Sequence, residues 1–188
     1  MVSRLFLAIF LLIFPVLASS QTLSGRSVER FYGSAFLGWQ TVSVNNSSFD
    51  ARMGNAAIGV WLWEGIGLEA EFGASFTDDT ISGLRLDVPS QQMLNLRLEG
   101  PPTSGYAAFV QLGAARTEID SRFTTNSAVA GRGGLSSSLT GVHLGIGMVL
   151  HINRWLVADA GYSRLIYEDE SGVNLFRFGL RFSPGRLR

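Results

Sequence analysis

The feature of this sequence that most constrains its fold is a strict alternation of apolar residues with polar or small ones, repeated in eight runs between residues 31 and 182. In the clearest run, Leu68, Ala70 and Phe72 alternate with Glu69 and Glu71. A period of two predicts a β-strand with one apolar and one polar face. Each run is about ten residues long, the length that a tilted strand needs to cross a bilayer. The pattern predicts an all-β fold: an eight-stranded antiparallel up-and-down transmembrane β-barrel.

Alternation alone does not decide which face points outward, because a soluble lipocalin-like barrel lines its cavity with apolar residues. A water-exposed outer face would be rich in charges, whereas the polar face here carries few charges and many glycines, which make room in a narrow interior. The charges on this face nearly balance, as buried charges must if each is to find a partner. We therefore expect a polar network inside the barrel, formed by Glu69, Glu71, Arg97, Glu99, His143, Asp159, Arg177 and Arg181.

The connections between the runs alternate between short and long. Short ones are Trp63 to Ile66, Glu99 to Gly105 and His151 to Trp155; the others are Ser43 to Gly54, Thr77 to Gln92, Arg116 to Ser138 and the shorter Glu168 to Gly172. Outer-membrane barrels combine tight periplasmic turns with longer extracellular loops. An even number of strands then returns both termini to the periplasm.

Aromatic residues cluster near the predicted strand ends, where a membrane interface favours their amphipathic rings. They are Trp39, Trp61, Trp63, Tyr106, Trp155, Tyr162 and Tyr167. Trp61 and Trp63 fall on the predicted inward face, and ordinary packing is the alternative interpretation of the whole set. The first run is ambiguous, and we favour Ala35, Leu37 and Trp39 on its outward face.

The N-terminus has the pattern of a secretory signal peptide. Arg4 precedes an apolar run from Leu5 to Leu12, too short for a membrane-spanning helix, and the small residues Ala18 and Ser20 suit cleavage. We expect residues 1–20 to be the signal peptide, 21–30 a periplasmic segment, 31–182 the barrel and 183–188 a tail. The chain contains no cysteine, which excludes disulfides and an N-terminal lipid anchor on cysteine.

Composition excludes some classes of partner. The 15 basic residues, all arginine, balance the 15 acidic ones, so no basic field points to nucleic acid. Charged residues make up 16% of the chain, below the roughly 25% of an ordinary soluble domain. The length fits one domain.

The last run, VNLFRFGLRF, resembles the closing strand of the OmpA-like small outer-membrane barrels. In that family the barrel assembly machinery reads an alternating final strand that ends in an aromatic residue. The resemblance implies that Phe176, Phe178, Gly179, Leu180 and Phe182 form an assembly signal. The tail after Phe182 departs from the pattern, since the aromatic residue is usually last. The resemblance extends in pattern over residues 31 to 182, including GIGLEAEFG and YAAFVQLGAA.

The sequence predicts no catalytic, cofactor-binding or metal-binding residues. Lipid A deacylases, which are also outer-membrane barrels, place a histidine and a serine two residues apart on one strand. Here His143 is followed by Leu144 and Gly145, and His151 by Ile152 and Asn153, so that spacing is absent. We read His143 as an interior histidine, because no serine or cysteine nucleophile lies two or four residues away.

These observations favour a non-enzymatic protein of the bacterial outer membrane, without a wide pore, that acts through its long extracellular loops in stabilising the envelope or in recognition at the surface. The implied partners are outer-membrane lipid with lipopolysaccharide, the barrel assembly machinery and an unidentified surface ligand. Two alternatives stay open. One is a lipid-modifying enzyme with a site at the barrel rim, formed by residues such as His143 or Ser163, and the other is a soluble carrier of an apolar ligand.

Overall fold

The computed structural model describes residues 31–44, 47–81, 84–123, 135–167 and 172–183. The predicted signal peptide, the segment 21–30 and the tail after Ser183 lie outside the described residues. The strands are β1 Phe31–Val44, β2 Ser47–Trp63, β3 Ile66–Ser75, β4 Asp79–Ile81, β5 Leu84–Glu99, β6 Tyr106–Phe123, β7 Leu135–His151, β8 Leu156–Tyr167 and β9 Gly172–Phe182. Within the described residues, no helix is long and apolar enough to cross a membrane.

Eight of these strands form a closed wall. Each pairs antiparallel with its neighbours in the chain, β9 pairs with β1, and β3 pairs with β5. The ninth strand, β4, is three residues long and pairs with the part of β5 that extends beyond β3. The predicted eight-stranded antiparallel up-and-down barrel is therefore confirmed, and closure leaves no unpaired edge in the wall.

The register around the wall shows how far the strands are staggered. The path of directly opposite residues starts at Phe31 and passes through Val60, Leu68, Leu96, Leu112, Leu144, Arg164 and Asn174 before it returns to β1 at Thr41. Since Thr41 lies ten residues beyond Phe31, the strands are tilted, and each row of opposite residues climbs obliquely around the barrel. An eight-stranded barrel has an interior that side chains just fill.

The outward face is apolar along the part of each strand that could lie in a membrane. On β6 the outward residues from Tyr106 to Ala114 are all apolar, and the next two are Arg116 and Glu118. On β1 the outward residues include Leu37 and Trp39, each about half exposed, as predicted for this ambiguous run. An apolar outer wall is the opposite of a lipocalin-like arrangement.

The barrel has two different ends. Short turns at residues 64–65, 100–105 and 152–155 lie at one end, which we call the short-turn end. The other connections lie at the opposite end, which we call the long-hairpin end because several strands extend far towards it. The 18 residues of β6 are nearly twice the length that spans a bilayer, about 9–11 residues.

Most of what the sequence predicted as long loops is β-structure, so that prediction was wrong in its boundaries. Strand β2 already begins at Ser47, β5 at Leu84, and β6 continues to Phe123 before β7 begins at Leu135. The inward positions here remain largely apolar, as at Phe49 and Val88, while the outward ones become polar. Of the described serines in these segments, Ser43, Ser48, Ser136 and Ser138 are exposed on paired strands.

The prediction that Trp61 and Trp63 share the inward face was half wrong. Trp61 is buried, with 8% of its surface exposed, whereas Trp63 is 70% exposed. The register between β2 and β3 shifts between these two residues, and such an irregularity turns the following side chain to the other face. Tyr167, which was predicted at an interface, is buried inside the barrel at 4% exposure.

Candidate functional site: the barrel interior

All eight polar residues that the sequence predicted for the interior lie on the inward face and are buried. Their exposed fractions are at most 8%, the value for Glu99. The eight residues are Glu69, Glu71, Arg97, Glu99, His143, Asp159, Arg177 and Arg181. They come from β3, β5, β7, β8 and β9, so closure of the barrel is what brings them together.

The layer nearest the short-turn end is built on Glu99. Arg181 donates two hydrogen bonds to its carboxylate, at 2.7 and 3.0 Å, in a bidentate pair. Arg97 donates a third at 3.2 Å through Nε, and the Nε2 of His151 lies 3.9 Å from the carboxylate. Glu99 therefore joins β5 to β9 across the barrel.

The next layer is centred on Arg97. Its Nη2 donates to Asp159 at 2.6 Å, and its Nη1 lies 3.8 Å from Glu69. Glu69 also accepts hydrogen bonds from the Tyr32 hydroxyl at 3.0 Å and from Gln111 Nε2 at 2.6 Å. These contacts connect strands β1, β3, β5, β6 and β8 through one buried cluster.

Arg177 continues the network towards the long-hairpin end. It forms an ion pair with Glu71 and donates to Gln111 Oε1 at 2.6 Å. Asn55 donates to the second oxygen of Glu71 at 2.6 Å. Because Gln111 bonds Glu69 with its amide nitrogen and Arg177 with its oxygen, it links the two layers.

Each of the three interior arginines lies over an aromatic ring that itself covers a glycine. Arg97 lies over Phe109, Arg177 over Phe36 and Arg181 over Tyr32, with guanidinium carbons 3.7, 4.5 and 5.3 Å from the ring centroids. The rings lie against Gly147, Gly179 and Gly59, which are their direct partners on the adjacent strands. A Cβ at any of these glycines would overlap the ring. The glycines therefore make room for cation–π stacks in a narrow interior.

An apolar layer fills the interior towards the long-hairpin end. Its buried members are Val42, Phe49, Met53, Val88, Met93, Ala115, Leu165, Tyr167, Val173 and Leu175. Between it and the ion pairs, the Gln91 amide donates to Gln40 at 3.3 Å and to Thr117 at 3.1 Å. The interior thus changes from charged to uncharged polar to apolar along the barrel axis.

Comparison with solved structures shows the same architecture in other proteins. The chain superposes on Neisserial surface protein A with a TM-score of 0.66 at 11% identity, covering 81% of this chain and 96% of that one. It superposes on the attachment invasion locus protein Ail of Yersinia pestis with a TM-score of 0.59 at 16% identity, covering 82% and 100%. For the N-terminal β-barrel domain of Pseudomonas aeruginosa OprF the TM-score is 0.56 at 16% identity, covering 80% and 97%.

The chain has the fold of the small outer-membrane barrels. Neither a protein-family model nor a curated protein matches its sequence. At these identities the similarity establishes the architecture alone. The expected resemblance in fold to the small eight-stranded outer-membrane barrels is confirmed.

In this outer-membrane barrel fold, His143 and Ser163 do not form a catalytic pair at the rim. Both side chains are buried inside the barrel, and His143 Nδ1 lies 2.6 Å from Asn95 Oδ1. Within the described residues, neither His143 Nε2 nor the Ser163 hydroxyl has a hydrogen-bond partner, so the two do not bond each other. The rim site expected under the enzyme alternative is not built from these residues.

A metal site is not apparent in the part of the chain that the structure describes. No group of three or more His, Cys, Asp or Glu residues is placed there to hold an ion. The interior carboxylates are instead engaged by arginine and amide groups, as in the pairs of Asp159 with Arg97 and Glu71 with Arg177.

The residues of the predicted assembly signal lie on β9 beside β1. Phe176, Phe178, Leu180 and Phe182 face outward, each 43–53% exposed, and the ring of Phe182 stacks with Trp155 at 6.3 Å. Gly179 lies on the inward face under Phe36. The interior packing therefore accounts for Gly179, and its role in assembly stays a prediction.

The alternation of residues did not predict the aromatic and apolar part of the interior. Tyr32, Phe36 and Phe109 occupy inward positions, although large apolar side chains were assigned to the outer wall. A usable signal existed, because each is separated by an even number of positions from a polar inward residue of its own strand, as Phe109 is from Gln111. In the apolar layer, Phe49, Met53 and Val88 fell within predicted loops, whereas members such as Leu165 and Leu175 are inward residues of predicted strands whose interior was expected to be polar.

Proposed function

We propose that this chain is a sealed, non-enzymatic barrel of the bacterial outer membrane that presents a rigid β-structure at the cell surface. The observation that carries the proposal is the filled interior, in which the charged network and the apolar layer follow one another along the axis. Its task would be to stabilise the envelope or to recognise a surface ligand.

The outward face supports a membrane position. The apolar stretch on β6 from Tyr106 to Ala114 spans nine residues, which matches the length of a tilted transmembrane strand, about 9–11 residues. The side chains of Arg52, Arg116 and Arg164 follow on the outward face towards the long-hairpin end. Short turns are periplasmic in outer-membrane barrels, so the long-hairpin end is outside and both termini are periplasmic.

The interior supports a barrel without a wide pore. The three interior arginines are at most 2% exposed, and their carboxylate partners lie on the opposite or adjacent wall. Beyond them, Leu165, Leu175 and Val173 are completely buried in the apolar layer. An ion would have to break buried ion pairs and then cross a layer without polar partners, which is costly.

The hairpins outside the apolar band support a surface role. Strands β6 and β7 stay paired up to Ser121 and Leu135, well beyond the last apolar outward residue on β6. Their inward residues Ile119 and Leu139 pack against the apolar layer, so the hairpin has a core of its own. Recognition by this barrel would then use paired strands with fixed side chains, because a packed scaffold positions its surface residues.

The proposal is tested by locating and reconstituting the native protein. We expect recovery in the outer-membrane fraction, a gel mobility that changes on heating, and no conductance steps when the folded protein is added to a planar lipid bilayer. A wide-pore porin reconstituted alongside is the positive control. Recovery in the soluble periplasm would overturn the membrane assignment, and steady conductance steps would overturn the sealed barrel.

A further inference from the structure

The outer wall carries a groove between two rows of aliphatic side chains. One row consists of Leu96, Leu112 and Leu144, which are direct partners on β5, β6 and β7 and lead to Arg164 on β8. The row beside it consists of Leu98, Val110 and Ile146, which lead in the same way to Tyr162. The groove along these rows has a volume of about 510 Å³.

The stagger of the strands gives the groove a direction. Rows of opposite residues climb towards the long-hairpin end as they pass from β5 to β8. The groove therefore begins at Leu98, one residue from the end of β5 at the short turns, and rises obliquely to Tyr162 and Arg164. Beyond Arg164, the direct partner on β9 is the polar residue Asn174.

The groove is polar where it ends towards the long-hairpin end, whereas the rest of it is apolar. The Tyr162 hydroxyl donates to Asn174 Oδ1 at 2.8 Å, which orients the amide beside Arg164. Arg164 is exposed, and within the described residues no carboxylate forms an ion pair with it, whereas the outward arginine on β6, Arg116, is 3.3 Å from Glu118. A guanidinium that has no carboxylate partner among the described residues, at the end of an apolar groove, complements an anion joined to a hydrocarbon chain.

We propose that this groove binds one acyl chain of a phosphorylated, acylated glycolipid of the lipid A type, with a phosphate held by Arg164 and Asn174. The assignment rests on the proposed function, because it takes the long-hairpin end as the outer face of the outer membrane. Lipid A occupies that leaflet, and its phosphates lie at the level where the apolar wall ends. The aliphatic rows supply area for the chain, and the guanidinium supplies the charge-assisted hydrogen bond for the headgroup.

The test is a binding titration of the full folded barrel in detergent micelles, read by native mass spectrometry. The ligands are diphosphoryl lipid A, the same lipid without its phosphates, and phosphatidylglycerol with matched acyl chains. We expect Arg164→Gln to weaken binding of diphosphoryl lipid A about tenfold, the loss typical of one charged hydrogen bond. Arg52→Gln, which removes an outward arginine opposite Trp39 on β1 and away from the groove, is the matched control and leaves binding unchanged.

A second pair of variants tests the hydrophobic part of the groove. Leu144→Trp fills the groove with an apolar ring and should abolish specific binding, while Ile58→Trp, at a 67% exposed site on β2, should not. The headgroup contact would be overturned if Arg164→Gln bound diphosphoryl lipid A as tightly as the native protein does. It would also be overturned if the native protein bound the lipid equally well with and without its phosphates. Equal binding of phosphatidylglycerol would overturn the assignment to lipid A.

The experiments distinguish a wrong assignment of the groove from a wrong proposed function. A barrel that fractionates with the outer membrane and folds in micelles but binds the three lipids alike contradicts only the groove. A protein that is recovered from the soluble periplasm contradicts the proposed function before any lipid is added.

Discussion

The guanidinium carbon of Arg97 lies 3.7 Å from the centroid of the Phe109 ring, in the middle of the barrel. The ring also lies against Gly147, its direct partner on β7. The position of this arginine, and of the three carboxylates that it contacts, therefore depends on the absence of a side chain on the neighbouring strand.

Gly147→Ala is expected to destabilise the barrel by about 1–3 kcal/mol, because the added methyl overlaps the Phe109 ring and a backbone carbonyl. The measurement is urea unfolding of the protein folded into micelles. Gly33→Ala is the matched control, since its Cβ would meet no atom closer than 3.9 Å. Equal stability of the two variants would show that the stack does not need the glycine.

Arg97→Met is expected to lower the free energy of unfolding by about 3–5 kcal/mol, because it leaves Asp159 buried without its cation and removes one of the two arginines beside Glu69. Adding Asp159→Leu should recover part of that loss, since the double variant removes the abandoned charge. A double-mutant cycle in micelles measures the coupling. Arg116→Met, which breaks the exposed pair with Glu118, should cost less than about 1 kcal/mol. An additive cycle would contradict the buried coupling.

Leu165→Ala tests the apolar layer. The side chain is completely buried there, so truncation should cost about 2–5 kcal/mol through lost contacts and a cavity. Its neighbour Ile166 points outward and is 46% exposed, and Ile166→Ala should cost clearly less. Chemical unfolding gives the two values, and limited proteolysis should show faster cleavage of the hairpins in Leu165→Ala alone. If both variants unfold alike, the hairpins do not share a packed core.

Phe182→Ala tests the predicted assembly signal. We expect slower insertion by the barrel assembly machinery in cells but normal spontaneous folding in detergent, because the ring is 53% exposed on the outer wall. Phe31→Ala removes an outward aromatic residue of similar exposure, 66%, on β1 and should leave assembly unchanged. The measurement is the amount of heat-modifiable protein in the outer membrane. Equal levels of the two variants would remove Phe182 from the signal.

The alternation of residues was sufficient to predict the strands and the faces of the barrel. In a strand, successive side chains point to opposite faces, so Glu69 and Glu71 had to lie together on the face opposite Leu68 and Phe72. The alternation does not hold at Trp63, where an irregular register breaks the period. Phe49 was missed because the interior is apolar at the long-hairpin end, which reverses the expected pattern of an apolar wall around a polar interior.

The sequence by itself determined that polar and apolar faces exist and how many strands carry them, because a period of two is a local property of the chain. Only the tertiary structure decided that Arg97 meets Asp159, 62 positions away, and that Gly147 lies beneath Phe109. Those partners follow from closure of the barrel and from the ten-residue stagger of its wall, which are properties of all the strands together. The same stagger brings Leu96, Leu112, Leu144 and Arg164 into one row.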